Sequence, residues 1–383
     1  MDRSEQPMIR FDHVRKVFPD GTVAVEDLSF DVAKGDVVTL VGPSGCGKTT
    51  TMKMVNRLFE PTGGTITVDG QDIMRTNVVQ LRRRIGYVIQ NVGLFPHETV
   101  SANVATVPKL LGWDRKRIAE RVAELLTLVG LEQHANRYPS QLSGGQRQRV
   151  GVARALAVDP PVLLMDEPFG ALDPINRESI QDEFIRLLKA LRKTVIFVSH
   201  DIDEAVKLGT QIAIFRDGRL VQHDTPDNIL AHPGNAFVAD FVGSDRTLKR
   251  LRLLRVADAM MADPPRVRAE DSLESAVRAM EQHGHISIVM VGPRGRASGV
   301  VRIEMARGRQ GLVAENHEPL PGVVNVADDL RSAVSTMFTH DVTWLACVDD
   351  DGFYKGYVTQ RGITHLLGAT YRVAGGGSGP GKS

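Results

Sequence analysis

A glycine-rich loop directly after a short apolar run is the feature that most constrains how this chain folds. Residues 37–41 are apolar and mostly β-branched, which predicts a buried parallel strand. The loop that follows matches G-x-x-x-x-G-K-[ST] in full, and the amides of such a loop surround a nucleotide's phosphates. We expect Lys48 to meet the β- and γ-phosphate oxygens and Thr49 to bind Mg²⁺. The predicted nucleotide-binding residues are Gly42, Pro43, Ser44, Gly45, Cys46, Gly47, Lys48, Thr49 and Thr50.

A second apolar run ends in two adjacent carboxylates. Residues 161–165 lead into Asp166 and Glu167. We expect Asp166 to reach the Mg²⁺ shell and Glu167 to polarise a water aimed at the γ-phosphate. The alternative is a strand capped by solvated acids.

Two further apolar runs end in polar side chains, Gln90 after residues 86–89 and His200 after residues 195–199. Ligands of open α/β sheets bind at the carboxyl ends of the strands. Taken singly, each residue is more simply structural. Gln90 could touch the metal or the attacking water. Taken with the loop and Glu167, both Gln90 and His200 are candidate contacts to the γ-phosphate.

The pentapeptide 142–146 reads Leu-Ser-Gly-Gly-Gln and runs straight into a helix-forming stretch, 146–156. Two glycines at the start of a helix leave amides pointing outward at the positive end of the helix dipole, which makes an anion site. On its own, Ser-Gly-Gly is only a flexible turn. Beside a nucleotide loop, the second anion site suggests a phosphate that two molecules share. Its residues are Ser143, Gly144, Gly145 and Gln146.

Composition narrows the class of protein. A chain of 383 residues is long enough for two or three domains, and its formal charge of +1 argues against a dedicated nucleic-acid binder. Two distant cysteines, Cys46 and Cys347, favour a reducing, cytosolic setting. Residues 1–6 lack the apolar core of a signal peptide, and no apolar run reaches the roughly 18 residues of a spanning helix. We therefore expect another chain to do any membrane crossing.

The order of these motifs resembles the ATPase subunit of an ABC transporter. The motifs are the phosphate loop, Gln90, residues 142–146, the Asp166-Glu167 pair, residues 171–173 and His200. The resemblance implies an α/β fold, a P-loop NTPase (RecA-like) ABC cassette over residues 8–244 with a helical subdomain at about 92–156.

The same resemblance implies an assembly and further site residues. It implies a head-to-tail homodimer in which one chain's phosphate loop and its partner's residues 143–146 hold ATP between them, with Asp173 at the dimer seam. An aromatic residue upstream of the loop would stack on adenine; Phe18 is the matching position, although Phe11 is also near.

The sequence around the motifs is more specific. Residues 51–58, 93–97 and 169–175 resemble quaternary-amine (glycine betaine, choline, carnitine) osmoprotectant importers. That resemblance implies transmembrane permease subunits, an extracytoplasmic substrate-binding protein and a peripheral place on the cytoplasmic face of the inner membrane. Three alternatives stay open: an importer ATPase for another small solute, a soluble non-transport ABC ATPase, and a regulator with a vestigial ATPase. The six intact motifs speak against the last.

Apolar residues at helical spacing mark one face of the segment between Gln90 and Leu142, and a glycine follows as a C-cap. By itself the pattern indicates core packing. The resemblance implies that this segment and the Gln90 loop receive a coupling helix of the membrane subunit. The residues are Ile118, Val122, Leu125, Leu126, Val129 and Gly130.

The last third of the chain contains an internal repeat. Residues 267–301 align with 324–358 at a constant offset of 57 and share twelve identities, among them Asp271 with Asp328 and Met280 with Met337, where composition alone gives roughly two. Each copy predicts β-α-β-β-α and resembles a CBS repeat, which implies an α+β tandem CBS module over 256–315 and 316–372 that binds regulators. Residues 373–383 form a predicted flexible tail.

Adenosine-binding CBS repeats tend to carry T-x-x-D, but Met305 and Gly362 replace the acid here. A cyclic dinucleotide at a CBS–CBS interface is therefore the candidate ligand that stays open.

The basic linker 245–255 alternates cations with leucines. It predicts a solvated helix with its apolar side packed or, alternatively, an ionic-strength sensor on anionic lipid. The candidate sensor cations are Lys249, Arg250 and Arg252.

Overall fold

The computed structural model describes residues 6–90, 93–170 and 174–374. The chain divides into two units, Met1–Gly243 and Ser244–Ser383. No helix among the described residues is both long and apolar enough to cross a membrane.

The first unit is built on a ten-stranded sheet with the order β5-β4-β1-β2-β10-β9-β3-β8-β7-β6. Strands β3, β6, β7, β8 and β9 run parallel, and β1, β2, β4 and β5 form an antiparallel wing. The strands are β1 Ile9–Val17, β2 Val23–Val32, β3 Val37–Val41, β4 Gly63–Val68, β5 Gln71–Asp72, β6 Ile85–Val88, β7 Val162–Asp166, β8 Thr194–Val198, β9 Gln211–Arg216 and β10 Arg219–Asp224.

The parallel strands confirm the buried runs that the sequence predicts. Every residue of β7 and β8 is buried, because helices cover both faces of a parallel sheet. Since parallel strands end at the same edge, the loop after β3 and the polar residues after β6, β7 and β8 lie along one rim.

The helices of the first unit cover this sheet and form a separate helical segment, α3 to α5. Val122, Leu125, Leu126 and Val129 are buried and Ile118 packs against them, as the spacing predicts. The helices are α1 Lys48–Val55, α2 Val78–Arg83, α3 Val100–Leu110, α4 Arg115–Leu128, α5 Gly144–Ala155, α6 Pro174–Leu191, α7 Ile202–Leu208, α8 Pro226–Ala231 and α9 Ala236–Val242. After α4, Gly130 has φ 64°, the left-handed C-cap that the sequence predicts.

The second unit contains two small sheets, β11-β17-β16-β15 and β12-β13-β14. Its elements are α10 Arg246–Arg250, α11 Val256–Ala259, β11 Met261–Ala262, β12 Arg266–Arg268, α12 Leu273–His283, β13 Ser287–Val291, β14 Ala297–Arg302, α13 Ile303–Ala306, β15 Val323–Asn325, α14 Leu330–Thr339, β16 Trp344–Val348, β17 Tyr354–Thr359 and α15 Gln360–Ala374.

The duplication is also visible in strand register. In the first copy Val267 pairs with Met290 across parallel strands, and in the second Val324 pairs with Cys347. Val324 and Cys347 follow Val267 and Met290 in the sequence by 57 residues, which is the offset of the repeat. The β-α-β-β-α order predicted for each copy is therefore confirmed.

The basic linker is partly packed in this structure, and its role as an ionic-strength sensor stays a prediction. Leu251 is buried in the core of the second repeat. Lys249 forms an ion pair with Asp245, Nζ to Oδ1 3.3 Å, and its side chain is 13% exposed. Arg250 is 3% exposed and Arg252 is half-buried. Packing of the apolar side of the linker fits the first of the two interpretations that its sequence offers.

Candidate nucleotide site

The phosphate loop is folded tightly against two neighbouring strands. A Cβ added at Gly42 would lie 2.2 Å from the Phe215 carbonyl oxygen, and one added at Gly47 would lie 2.3 Å from that of Ala24. Both glycines have positive φ, 145° and 99°, which side chains rarely tolerate. Gly45, by contrast, faces open space. The chain therefore bends around an open concavity lined by backbone, which fits a nucleotide's phosphates.

Lys48 is held inside this loop. Its side chain is buried, and Nζ donates hydrogen bonds to the carbonyl oxygens of Gly42 at 2.7 Å and Pro43 at 2.8 Å. The Cys46 Sγ lies 3.6 Å from the same nitrogen. Burial raises the pKa of the Cys46 thiol, which keeps this side chain neutral beside the lysine.

Thr49 and Asp166 supply the oxygens that suit a magnesium ion. The Thr49 Oγ1 donates to the Asp166 Oδ1 at 3.1 Å, and the Lys53 Nζ lies 3.8 Å from the Oδ2. Burial raises the pKa of Asp166, opposed by the Thr49 hydrogen bond. Among the described residues, no group of three or more His, Cys, Asp or Glu side chains surrounds a metal position. A small number of protein oxygens beside a phosphate-binding loop is what Mg²⁺ requires, because this ion takes its other ligands from phosphates and water.

Glu167 is the point where three predicted site residues meet. Its Oε2 accepts a hydrogen bond from the Gln90 Nε2 at 2.9 Å and lies 3.5 Å from the His200 Nδ1. Glu167 has φ 43°, and its amide donates to the Val198 carbonyl oxygen at 3.1 Å. The turn after β7 thus directs this carboxylate to the rim where β6 and β8 also end.

Lys53 and a buried polar cluster near His200 escaped the sequence analysis. The cluster centres on Glu204, whose carboxylate accepts from the Ser199 Oγ at 2.6 Å and the Gln181 Nε2 at 3.2 Å. Burial raises the pKa of Glu204. A charged residue on the buried face of a short helix was the signal for Glu204, and an i,i+4 spacing from Thr49 was the signal for Lys53.

The two aromatic candidates for adenine stacking differ in how much of the ring is exposed. Phe11 is 2% exposed and stacks on Phe30 with centroids 4.6 Å apart. Phe18 is half-buried, packs edge-on against Phe59, and has the Lys16 Nζ 5.2 Å from its ring centroid. Only Phe18 of the two therefore has ring surface available for a base.

The Ser-Gly-Gly-Gln segment begins α5 as predicted. The Ser143 Oγ accepts from the Gln146 amide at 3.2 Å, and the Gln146 Oε1 accepts from the Ser143 amide at 2.9 Å. This reciprocal cap leaves Gly144 and Gly145 in the first turn. Across the described residues, no hydrogen bond or ion pair joins this segment to the phosphate loop. Asp173 lies outside the described residues.

Comparisons with known proteins identify the family to which this chain is similar. The ABC transporter family profile matches residues 25–170, and the CBS domain profile matches residues 256–306. The osmoprotectant import ATP-binding protein OsmV of Salmonella typhimurium is 46% identical over 90% of this chain and 91% of its own. This chain belongs to the family of osmoprotectant-importer ATP-binding subunits.

A second relative of this ATP-binding subunit is the glycine betaine/carnitine/choline transport ATP-binding protein OpuCA of Bacillus subtilis, 43% identical over 94% of this chain and 96% of its own. Among solved structures, CbiO1 of Clostridium perfringens, part of an ABC transporter complex, has a TM-score of 0.56 at 28% identity, covering 60% of this chain and 92% of its own. A dimeric ATP-binding cassette bound to ADP and phosphate has a TM-score of 0.51 at 33% identity, covering 57% and 98%. The subunit is an ABC-type ATPase that binds ATP and hydrolyses it to ADP and phosphate.

Proposed function

We propose that this ATPase powers an importer for osmoprotectants of the quaternary-amine class. The support is the identity over nearly the whole chain to subunits named for osmoprotectant import and for glycine betaine, carnitine and choline transport. An importer ATPase for another small solute is the alternative, because cargo is selected by other subunits.

The observation that carries the catalytic proposal is the convergence on Glu167. With the γ-phosphate held by Lys48, the Glu167 carboxylate acts as general base on a water in line with that phosphate. Gln90 and His200 hold that carboxylate through their contacts at 2.9 and 3.5 Å and are proposed to touch the water and the γ-phosphate. Mg²⁺, when bound near Thr49, Asp166 and Gln90, would neutralise developing phosphate charge.

A homodimer supplies the second half of the site. The amides at the start of α5 form an anion site that, within the described residues, shares no bond with the phosphate loop of its own chain. We infer that residues 143–146 close on the ATP of the partner subunit, with Asp173 at the seam. ATP binding then draws two chains together, and hydrolysis separates them.

The helical segment is the proposed contact to the permease. A groove of about 880 Å³ runs between α3 and α4, and its lining includes Ala105, Trp113 and Ile118. An amphipathic coupling helix of a membrane subunit suits such a groove. We further propose a substrate-binding protein outside the cell as a partner, a peripheral position for this chain at the cytoplasmic face of the membrane, and no role for nucleic acid.

The CBS module is the proposed regulator. A Cβ added at Gly362 would lie 3.2 Å from the Thr359 Oγ1 and 3.3 Å from the Ala259 carbonyl oxygen. The acid that binds ribose in other repeats is absent here, and a side chain at Gly362 would require these two neighbours to shift slightly. A cyclic dinucleotide between the CBS modules of two chains stays the nucleotide candidate.

Uptake in cells tests the cargo assignment. A strain that lacks this gene is complemented with the wild-type chain, with Lys48→Ala or with the surface variant Asp31→Asn, and given labelled glycine betaine, choline, carnitine or an unmethylated amino acid. We expect uptake of the methylated amines with the wild type and Asp31→Asn only. Uptake of none of them, with the ATPase intact, would indicate another solute.

A further inference from the structure

A cleft of about 610 Å³ separates the two repeats of the second unit. The first repeat contributes residues just after α12 and along β13, and the second contributes residues of β16, β17 and the start of α15. Residues that matter to its chemistry are His285, Trp344, Tyr354, Tyr357 and Arg361.

Aromatic rings form perpendicular walls in this cleft. Trp344 and Tyr357 have centroids 6.4 Å apart at an interplanar angle of 83°, and His285 and Tyr357 are 5.7 Å apart at 88°. The Tyr357 hydroxyl donates to the Met261 Sδ at 3.2 Å, which fixes that ring. Perpendicular aromatic faces are the arrangement that binds quaternary ammonium groups through cation–π attraction.

The charges of the lining select among such cations. Arg361 is exposed and is the only Lys, Arg, Asp or Glu among the described residues that line the cleft. A guanidinium repels a simple cation but binds a carboxylate with paired hydrogen bonds. The lining therefore favours a molecule that carries both a methylated ammonium and a carboxylate.

The same lining disfavours a nucleoside. In the part of the chain that the structure describes, no carboxylate lines the cleft to accept hydrogen bonds from ribose hydroxyls. Gly362 also leaves no room for one without a shift of the Thr359 hydroxyl or the Ala259 carbonyl.

We propose that this cleft binds a small zwitterion with a quaternary ammonium, of the betaine class, so that the regulatory unit senses imported cargo. The ammonium lies against Trp344 and Tyr357, and the carboxylate pairs with Arg361. The inference rests on the proposed function, because it makes accumulated cargo the regulator of its own uptake.

Binding to the full-length chain tests the proposal. Titration calorimetry at constant ionic strength compares glycine betaine with choline, which lacks the carboxylate, and with glycine, which lacks the methyl groups. We expect saturable binding of betaine at least about tenfold tighter than of either analogue. Saturation separates a site from the general effect of osmolytes, which are excluded from protein surfaces.

Variants assign the site. Trp344→Ala should weaken betaine binding at least about tenfold, Trp344→Phe should retain most of it, and Arg361→Gln should abolish the preference over choline. Phe338→Ala is the matched control, since this aromatic of the same repeat is 73% exposed and does not line the cleft.

Three results would overturn the proposal: betaine binding that does not saturate, saturable binding unchanged in a folded Trp344→Ala variant, or Trp344-dependent binding of AMP or a cyclic dinucleotide without betaine binding. An uptake assay distinguishes failure of the betaine-site proposal from failure of the proposed transport function. These variants leave Lys48 and Glu167 intact, so cells should continue to import betaine and lose only the arrest of uptake at high internal concentration.

Discussion

The Gln90 side-chain amide donates a hydrogen bond to the Glu167 carboxylate, Nε2 to Oε2 2.9 Å. The two residues follow neighbouring parallel strands, β6 and β7. Because Gln90 also precedes the helical segment in the chain, we expect a movement of that segment to reach the proposed general base through this bond.

Replacing Glu167 by Gln should separate ATP binding from hydrolysis. The amide keeps the shape of the side chain but cannot accept a proton, so we expect turnover at least about 10²-fold lower with ATP affinity retained. Phosphate release and nucleotide binding measure the two effects. Glu120→Gln is the control. Turnover within a few-fold of wild type in Glu167→Gln would remove this residue from the general-base role.

Ser143→Ala should weaken the ATP-dependent dimer more than its loss of helix stability explains. Losing the Ser143 cap of α5 should lower the free energy of unfolding by about 1 kcal/mol. Ser272 caps α12 with the same bond, Oγ to the Ser275 amide 3.2 Å, so Ser272→Ala is a matched control. Thermal unfolding should show similar losses in both. Light scattering with ATP in the Glu167→Gln background should show fewer dimers only with Ser143→Ala, and equal dimer fractions would contradict the shared-nucleotide arrangement.

Asp166→Asn should raise the Mg²⁺ concentration for half-maximal ATPase activity at least about tenfold, because a carboxylate is lost beside Thr49. Nucleotide binding in EDTA should be retained. The control is Asp31→Asn, which removes a surface carboxylate that pairs with Arg10 at 2.9 Å. An unchanged Mg²⁺ requirement would place the metal elsewhere.

Phe18→Ala should raise the Kd for ATP about tenfold, since stacking of an aromatic ring on a base contributes about 1–3 kcal/mol. Phe11→Leu should lower the unfolding temperature without changing the Kd, because Phe11 is buried against Phe30. Fluorescent ATP titration measures both. The reverse pattern would exclude Phe18 from the adenine site.

Glu204→Gln should change how stability depends on pH. Burial raises the pKa of Glu204 above its ordinary value of 4.5, so the folded protein holds this proton more tightly than the unfolded chain. Stability from this group is present below pH 4.5 and is lost as pH rises through the folded pKa. The variant should lose less stability over that rise, measured by urea unfolding at several pH values. If the free energy of unfolding changes with pH equally in the variant and the wild type, the pKa of the Glu204 carboxyl is not raised in the folded protein.

The strands and repeats were predictable because their signals are local. Runs such as Val37–Val41 and Val162–Asp166 are almost wholly apolar, and a fixed offset of 57 relates the two CBS copies. The order of motifs likewise pointed to the family before any contact was known. The roles of the individual site residues stay predictions, although the structure brings Gln90, Glu167 and His200 together.

By itself, the sequence determined the phosphate loop, the two acids after the apolar run of β7, the capped glycine pair of α5 and the duplicated last third, since each depends on neighbours in the chain. Only the tertiary structure decided which aromatic remains available near the loop, that Lys53 faces Asp166, that Glu204 is buried behind Ser199, and that Lys249 pairs with Asp245. Burial and long-range pairing depend on how distant segments pack, and the local signals at Lys53 and Glu204 do not identify the partners of these side chains.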